Sequence, residues 1–323
     1  VNHTPVMLDE IVALLAPQPG EVFVDGTLGL AGHAVVLAAA LAPGGLLLGL
    51  DWDTAMLDVA RERLAQVDGV TIATHHGDYR ALPEALTAAA TDVGRAPLAD
   101  GILLDLGLNS AQIDDPTRGI SFMAEGPLDM RMDRTSGEPA SAWLNRAGED
   151  EIEKVLRVYG DERWSRQIAR VIVDRRKVNP LSTTADLVNL VEAAVPMAKR
   201  DRRLNPATRT FQAVRIWVNR ELEDLESAIE GAAMALAPGG RLAVLAYHSG
   251  EDRAVKTVFR RLGQSGEFRE VYRRPEVPTE AEIVRNPRSR SARLRALVRL
   301  AMPEPDAPLE SERKLNLDQD LSL

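Results

Sequence analysis

The sequence predicts an α/β fold, in which a mostly parallel sheet wound with helices is interrupted by a mainly helical second domain. Three observations lead there. From Glu21 to Leu108, short β-branched or leucine-rich runs alternate with helical stretches, the pattern of strands joined by crossover helices. For roughly a hundred residues after Leu108 no strand-like run appears, and apolar residues recur at helical spacing instead. At Arg241 the strand pattern resumes.

The predicted strands of the first part are Val22–Asp25, Leu46–Asp51, Val70–His75 and Gly101–Asp105. Between them the spacing predicts helices over Ala31–Leu41, Thr54–Gln66 and Leu82–Ala90. Asp53 or Thr54 can accept a hydrogen bond from the second helix's first turn and so cap it. The insertion reads as turns over Ser110–Ala140. Helices follow at Asp150–Val158, Asp161–Lys177 and Thr184–Ala194, punctuated by Gly160, Pro180 and Pro196. In Thr208–Leu236 the apolar residues Phe211, Val214, Val218, Leu222, Leu225, Ile229, Ala232 and Leu236 fall three or four apart. That spacing predicts one continuous helix with a buried face, stopped by Pro238-Gly239-Gly240. Arg241–His248 is the fifth strand, Glu251–Leu262 a helix, and Phe268–Tyr272 and Arg293–Leu300 are candidate closing strands. The expected division is 1–108 plus 207–302 for the sheet domain, 109–206 for the helical insertion, and 303–323 for an acidic, mobile tail.

The chain has 323 residues, enough for two domains, and no apolar stretch reaches membrane-spanning length. Its beginning lacks the basic flank and apolar run of a secretory signal, so the expected location is the cytoplasm, with no membrane partner. The absence of cysteine excludes disulfides, thiolate zinc sites, iron–sulfur ligation and a cysteine nucleophile. His33, His75 and His76 lack metal-ligand spacing, and no metal is expected. A net charge of -9 argues against a polyanionic partner, yet Arg285, Arg288, Arg290, Arg293, Arg295 and Arg299 form a run without one acid. Local field outweighs the total when a protein meets phosphates.

The strongest local signal is the passage Val22-Phe-Val-Asp25-Gly26-Thr-Leu-Gly29-Leu-Ala-Gly32-His33. A strand, a glycine-rich turn and a helix bring backbone close to a ligand at the end of a sheet. Asp25 would repel a pyrophosphate but suits a cationic ligand, so the loop favours S-adenosylmethionine over a dinucleotide. Asp51, closing the second strand, is placed to accept from ribose hydroxyls. The third strand runs into Asp78-Tyr79, a carboxylate for an adenine amine and an aromatic face for its ring. Asp105 closes the fourth strand beside the first, at the switch point where transfer chemistry is expected. An amine conjugated to an aromatic ring is a poor nucleophile; acceptors that hold its N–H bonds while the nitrogen pyramidalises favour in-line attack on a sulfonium methyl. Asp105 is the candidate catalytic residue for that role. Without a thiolate, the covalent route to ring carbon methylation is closed. His248-Ser249 is not a hydrolase pair, because adjacent strand residues face opposite ways; His248 is expected on the substrate side.

Several further blocks carry a resemblance. They are His3-Thr4-Pro5-Val6-Met7-Leu8, the loop Gly26 to His33, Gly101-Ile-Leu-Leu-Asp105-Leu-Gly107, Arg118-Gly-Ile-Ser-Phe122, Gly126-Pro-Leu-Asp129-Met-Arg131-Met-Asp133, Pro206-Ala-Thr-Arg209-Thr-Phe-Gln212-Ala-Val-Arg215 and Asn286-Pro-Arg-Ser-Arg290-Ser. In this order, from about His3 to Leu300, the chain resembles the RsmH (MraW) family of bacterial 16S ribosomal RNA cytosine N-4 methyltransferases. The resemblance implies a class I, Rossmann-like methyltransferase domain with an inserted substrate domain. It also implies a target cytidine in the decoding region of the small subunit, with 16S ribosomal RNA or the small subunit itself as partner. It carries cofactor contacts to Ala31, Gly32, His33, Asp51, Tyr79, Asp105 and Gln112, and marks Asn109 and Arg131 as substrate candidates. Ala31 stands where the family usually has Gly, so it is expected to avoid positive φ and to keep its N–H available. Asn109 replaces a common Ser, and Gly250 a common Leu. Arg288 and Arg290, with the run to Arg299 and the cluster Lys199, Arg200, Arg202, Arg203 and Arg209, are expected to wall one basic groove for RNA. The alternatives are a non-catalytic RNA-binding or ribosome-assembly factor on the same fold and a nicotinamide-dependent oxidoreductase.

Overall fold

A computed structural model describes residues 5–200 and 205–301. The expected tail, together with Arg202 and Arg203, lies outside these residues. The first half is α1 (Leu8–Leu15), β1 (Val22–Asp25), α2 (Gly32–Leu41), β2 (Leu46–Asp51), α3 (Thr54–Leu64), β3 (Thr71–His76), α4 (Leu82–Asp92) and β4 (Ala99–Asp105). Then come α5 (Ser110–Asp114), α6 (Ala140–Arg146), α7 (Glu149–Gly160), α8 (Ser165–Arg176), α9 (Thr184–Ala194), α10 (Thr208–Val218) and α11 (Leu225–Met234). The chain closes with β5 (Leu236–Ala246), α12 (Ser249–Gly263), β6 (Phe268–Glu270), α13 (Glu280–Arg285) and β7 (Arg293–Arg299).

The sheet has the order β3-β2-β1-β4-β5-β7-β6. β1 to β5 run parallel, while β7 lies antiparallel to both β5 and β6. Both faces are covered, and the side-chain period of two decides which residue goes where. Val22, Val24, Leu48, Leu50, Ile102, Leu104, Leu242 and Val244 pack with α4, α11 and α12 on one face. Phe23, Leu47, Leu103, Ala243 and Leu245 pack with α1, α2 and α3 on the other. A third core, with Trp143, Ile152, Leu156, Ile168, Ile172, Leu187, Phe211 and Val214, belongs to α6 through α10. Among the described residues no helix is long and apolar enough to cross a membrane.

The fifth strand starts earlier than expected, so Pro238-Gly239-Gly240 lies inside β5 instead of ending a helix; two further expectations need correction. The continuous helix over Thr208–Leu236 is two helices, because residues 219–224 turn between α10 and α11, with Arg220 at φ 51 and Asp224 at φ 55. The apolar spacing runs through the break. What interrupts the helix is Asn219, whose side chain accepts from Met132 N at 2.8 Å and donates to the Met130 carbonyl at 2.8 Å. A buried amide satisfied across the fold outweighs continued helix propensity. The other correction is Ala31, which adopts φ 57 and ψ 32 in the left-handed region at the start of α2. Its N–H donates to the Leu28 carbonyl at 2.7 Å, which closes the turn and removes that donor from any ligand. For a residue with a Cβ this conformation costs on the order of 1–2 kcal/mol. The short helices α1, α5, α6 and α13 were not legible in the sequence pattern.

Candidate cofactor and substrate site

The parallel strands end on one edge of the sheet, and there the loops line a partly open cavity of about 290 Å³, close to the lower bound for small-molecule sites. It lies over the β1–β4 junction, where successive connections leave on opposite faces of the sheet. Of the residues singled out above, Gly32, His33, Asp51, Tyr79, Asp105, Asn109, Gln112 and Arg288 line it. Asp25, Ala31, Arg131, His248 and Arg290 are not part of its wall.

The backbone explains why the strand-end residues meet. Gly29, at φ 50, turns the β1 loop inward and donates its N–H to Asp51 Oδ2 at 2.7 Å. Asp53 N donates to the other oxygen at 2.9 Å, so the carboxylate is fixed with lone pairs still open to a hydroxyl donor. Burial pushes the Asp51 carboxyl up to about 6 against the pull of these two bonds. Asp25, 2% exposed, sits behind the loop and accepts from Thr27 N at 3.1 Å. Burial raises it to about 6 as well. Its part is to hold the turn.

Asp105 is the most perturbed of the three, raised by burial to about 7. Its Oδ1 accepts from the Tyr247 hydroxyl at 2.7 Å, and that bond pulls in the opposite direction. Its Oδ2 lies 3.7 Å from His33 Nδ1, too far for a hydrogen bond. His33 Nε2 is 2.9 Å from the Val6 carbonyl, so that nitrogen carries the proton. Burial holds the imidazole below its ordinary pKa, leaving it neutral near pH 7. Thr27 accepts from Asp105 N at 2.6 Å, tying the first loop to the fourth strand.

Other candidates are engaged by the protein itself. The Gln112 amide donates to Asp53 Oδ2 at 3.0 Å, and its carbonyl oxygen accepts from Asn109 N at 3.3 Å. Asn109 in return accepts from Gln112 N at 2.9 Å, completing a capping box for α5. Arg118 adds a buried ion pair to Asp53 at 2.8 Å. The Asp78 carboxylate accepts from the Arg80 N–H and guanidinium, so its expected adenine contact competes with an internal pair. Arg131 grips Asp129 and the carbonyls of Arg134, Ser136 and Gly137, ordering that loop. His248 caps α12 through Nδ1, which accepts from Gly250 N and Glu251 N.

Sequence reasoning missed Tyr247, Arg215, Glu221 and Glu251, all of which line the cavity. The alternation that turns His248 away would have pointed to Tyr247. Nothing local marks Arg215 or Glu221, which meet only because the chain breaks between α10 and α11. Glu221, His248 and Glu251 are grouped closely enough to suggest a cation. Their chemistry opposes one: Glu221 is held by Arg215, and with Nδ1 accepting from two backbone N–H groups, Nε2 is the proton-bearing nitrogen of His248, 3.2 Å from Glu251 Oε1 but not hydrogen-bonded to it.

The basic segments are mostly satisfied. Arg288 pairs with Asp114 at 2.5 Å, Arg293 and Arg295 both bind Asp252, and Arg299 donates to the carbonyls of Met234 and Leu236. Arg209 donates to the Asp161 carbonyl, and Arg200 to Val195 and Glu192. Arg290 is exposed and makes no ion pair among the described residues.

The mostly parallel sheet with an antiparallel β7 is the α/β arrangement that the sequence predicts. Among solved structures, a putative rRNA-methylase from Clostridium thermocellum superposes with a TM-score of 0.43 at 11% identity, covering 93% of this chain and all of that one. A ribosomal RNA small subunit methyltransferase H from Citrifermentans bemidjiense is 43% identical over 314 residues, or 93% of this chain and 99% of that protein. The protein of the same name from Pelobacter propionicus is 44% identical over 315 residues, with equal coverage. The MraW methylase family description matches residues 1–300, sheet and helical unit together, and the chain belongs to that family.

Proposed function

We propose that this chain methylates the exocyclic N-4 amine of a cytidine in the decoding region of 16S ribosomal RNA, by direct in-line transfer and without a covalent enzyme intermediate. The methyl donor is S-adenosylmethionine, which supplies an electrophilic sulfonium methyl when bound. Asp51 fits its ribose hydroxyls, being a fixed carboxylate with open lone pairs on the cavity wall. Tyr79 and Gly32 shape the same wall. The relatives named above act on small-subunit ribosomal RNA by their names, and this chain inherits that substrate class as a proposal.

One observation carries the reading: a half-buried carboxylate, Asp105, stands at the switch point with one oxygen fixed by Tyr247 and lines the cavity. As an acceptor it holds an amine N–H and favours the pyramidal nitrogen needed for attack. The ionised form is the stronger acceptor, and burial raises this carboxyl to about 7, so the rate is expected to rise with pH near neutrality. In this reading residues 1–108 and 207–302 are the methyltransferase unit and 109–206 the substrate unit, with Phe211 and Val214 of α10 packed in the helical core. Nucleoside mass analysis of 16S RNA incubated with the protein and labelled S-adenosylmethionine is the test. N4-methylcytidine is the expected product; label on another base or on ribose overturns the assignment, and binding without transfer favours a non-catalytic assembly factor.

A further inference from the structure

An acceptor such as Asp105 recognises only the amine of cytosine. The same edge of the base also presents N3 and O2, which are acceptors and require a donor from the protein. The cavity supplies one. Arg215 projects from α10 onto the cavity wall, and its Nε and Nη2 each donate to Glu221 at 2.8 Å. That two-pronged grip fixes the guanidinium plane and leaves Nη1 with no protein partner among the described residues. Glu221 is 6% exposed, and its carbonyl accepts from Tyr79, so the anchor is itself tied to the strand ends.

Arg215 and Asp105 also share an electrical neighbour. Glu251, 2% exposed, bears on both, favouring the charged form of Arg215 and disfavouring that of Asp105. A guanidinium N–H with no protein partner at a cavity wall is left for water or a ligand to accept from. We propose that Arg215 reads the target base, donating from Nη1 to the N3 and O2 edge of cytosine while Asp105 takes the amine. This inference rests on the N-4 reading above. Uracil would place O4 against Asp105 and N3–H against Arg215, two mismatches by which the cavity would discriminate against it.

The test uses the full-length protein and small-subunit RNA carrying cytidine, 3-deazacytidine or 2-thiocytidine at the target position, in single turnover at saturating S-adenosylmethionine. The analogues keep the amine and remove N3 or weaken O2 as acceptors. The wild-type protein should lose on the order of tenfold or more on at least one analogue. Arg215→Met should lose a similar factor on cytidine, show no further loss on that analogue, and bind S-adenosylmethionine normally by calorimetry. Arg215→Lys, which keeps the charge and loses the fork, should fall between them. Wild-type rates that ignore both analogues overturn the proposal even if neither variant folds. An analogue penalty that persists undiminished in the variants, or a loss of cofactor affinity, also overturns it. Absence of N4-methylcytidine from the cytidine RNA with wild-type protein removes the N-4 reading itself, and this proposal with it.

Discussion

The strand-end edge of the sheet and the arginine-rich segments are both places where the sequence suggests a polar ligand, and they behave differently in the fold. Asp51, Tyr79 and Asp105 come from three separate strand ends and line one cavity. Arg288, Arg293, Arg295 and Arg299 come from one short stretch, yet they are engaged at three separate places: Arg288 by Asp114, Arg293 and Arg295 by Asp252, and Arg299 by the Met234 and Leu236 carbonyls. The sheet spaces its strand ends by backbone hydrogen bonding, so a residue at a strand end inherits its location. An arginine has a long flexible arm, and its role depends on which carboxylate lies within reach.

The comparison breaks first at Asp105. If the strand-end edge is the reactive one, Asp105→Ala should slow single-turnover methylation by about 10²–10³-fold. A near-normal rate at saturating cofactor and RNA would remove it from the chemistry. The same residue carries a stability cost with a definite sign. Its carboxyl is raised from 3.8 to about 7, so the folded protein retains a proton that the unfolded chain releases, and stability falls as pH rises between these values. The upper bound is about 4 kcal/mol, reduced because 24% of the side chain faces the cavity. Asp105→Asn should therefore melt higher than the wild type at pH 8, with the gap shrinking toward pH 4.

Asp51→Ala should weaken S-adenosylmethionine binding by about 1–3 kcal/mol through loss of charge-assisted hydrogen bonds. Unchanged affinity in calorimetry would mean that Asp51 serves only the Gly29 turn. Tyr247→Phe tests a subtler dependence. The Tyr247 hydroxyl stabilises ionised Asp105, so its loss should move the acidic limb of the pH–rate profile upward. Rates should drop severalfold near pH 6.5 and largely recover at pH 8.5; a uniform loss at every pH would point to packing alone.

The smallest effects belong to the arginines. Arg288 and Asp114 are 44% and 58% exposed, and such a pair contributes about 0–1 kcal/mol to stability. RNA phosphates could displace Asp114 at that small cost. If they do, neutralising Arg288 and Arg290 together should lower the slope of log affinity against log salt by about 0.7 per lost contact. Because Arg288 also lines the cavity, the change in RNA salt slope, and not cofactor affinity, is the readout. An identical salt slope would mean that the basic segment is structural and that the RNA groove lies elsewhere.

What the sequence determined by itself is the sheet and the acids along its edge. β1 to β4 were legible because alternating burial and turn chemistry involve neighbours in the chain, and Asp51 and Asp105 close their strands as expected. Tertiary structure decided the rest. Tyr247 reaches Asp105 across 142 residues, and Asn219 breaks a helix by bonding to the backbone 87 and 89 residues away. Arg288 finds Asp114 at a separation of 174 residues. Ala31 takes a left-handed turn that its side chain disfavours, because the Leu28 carbonyl and the packing around α2 hold it there. Periodicity is local and survives in one dimension; the partner of a buried amide or a guanidinium is whichever group the folded chain brings within about 3 Å, and that distance exists only in three.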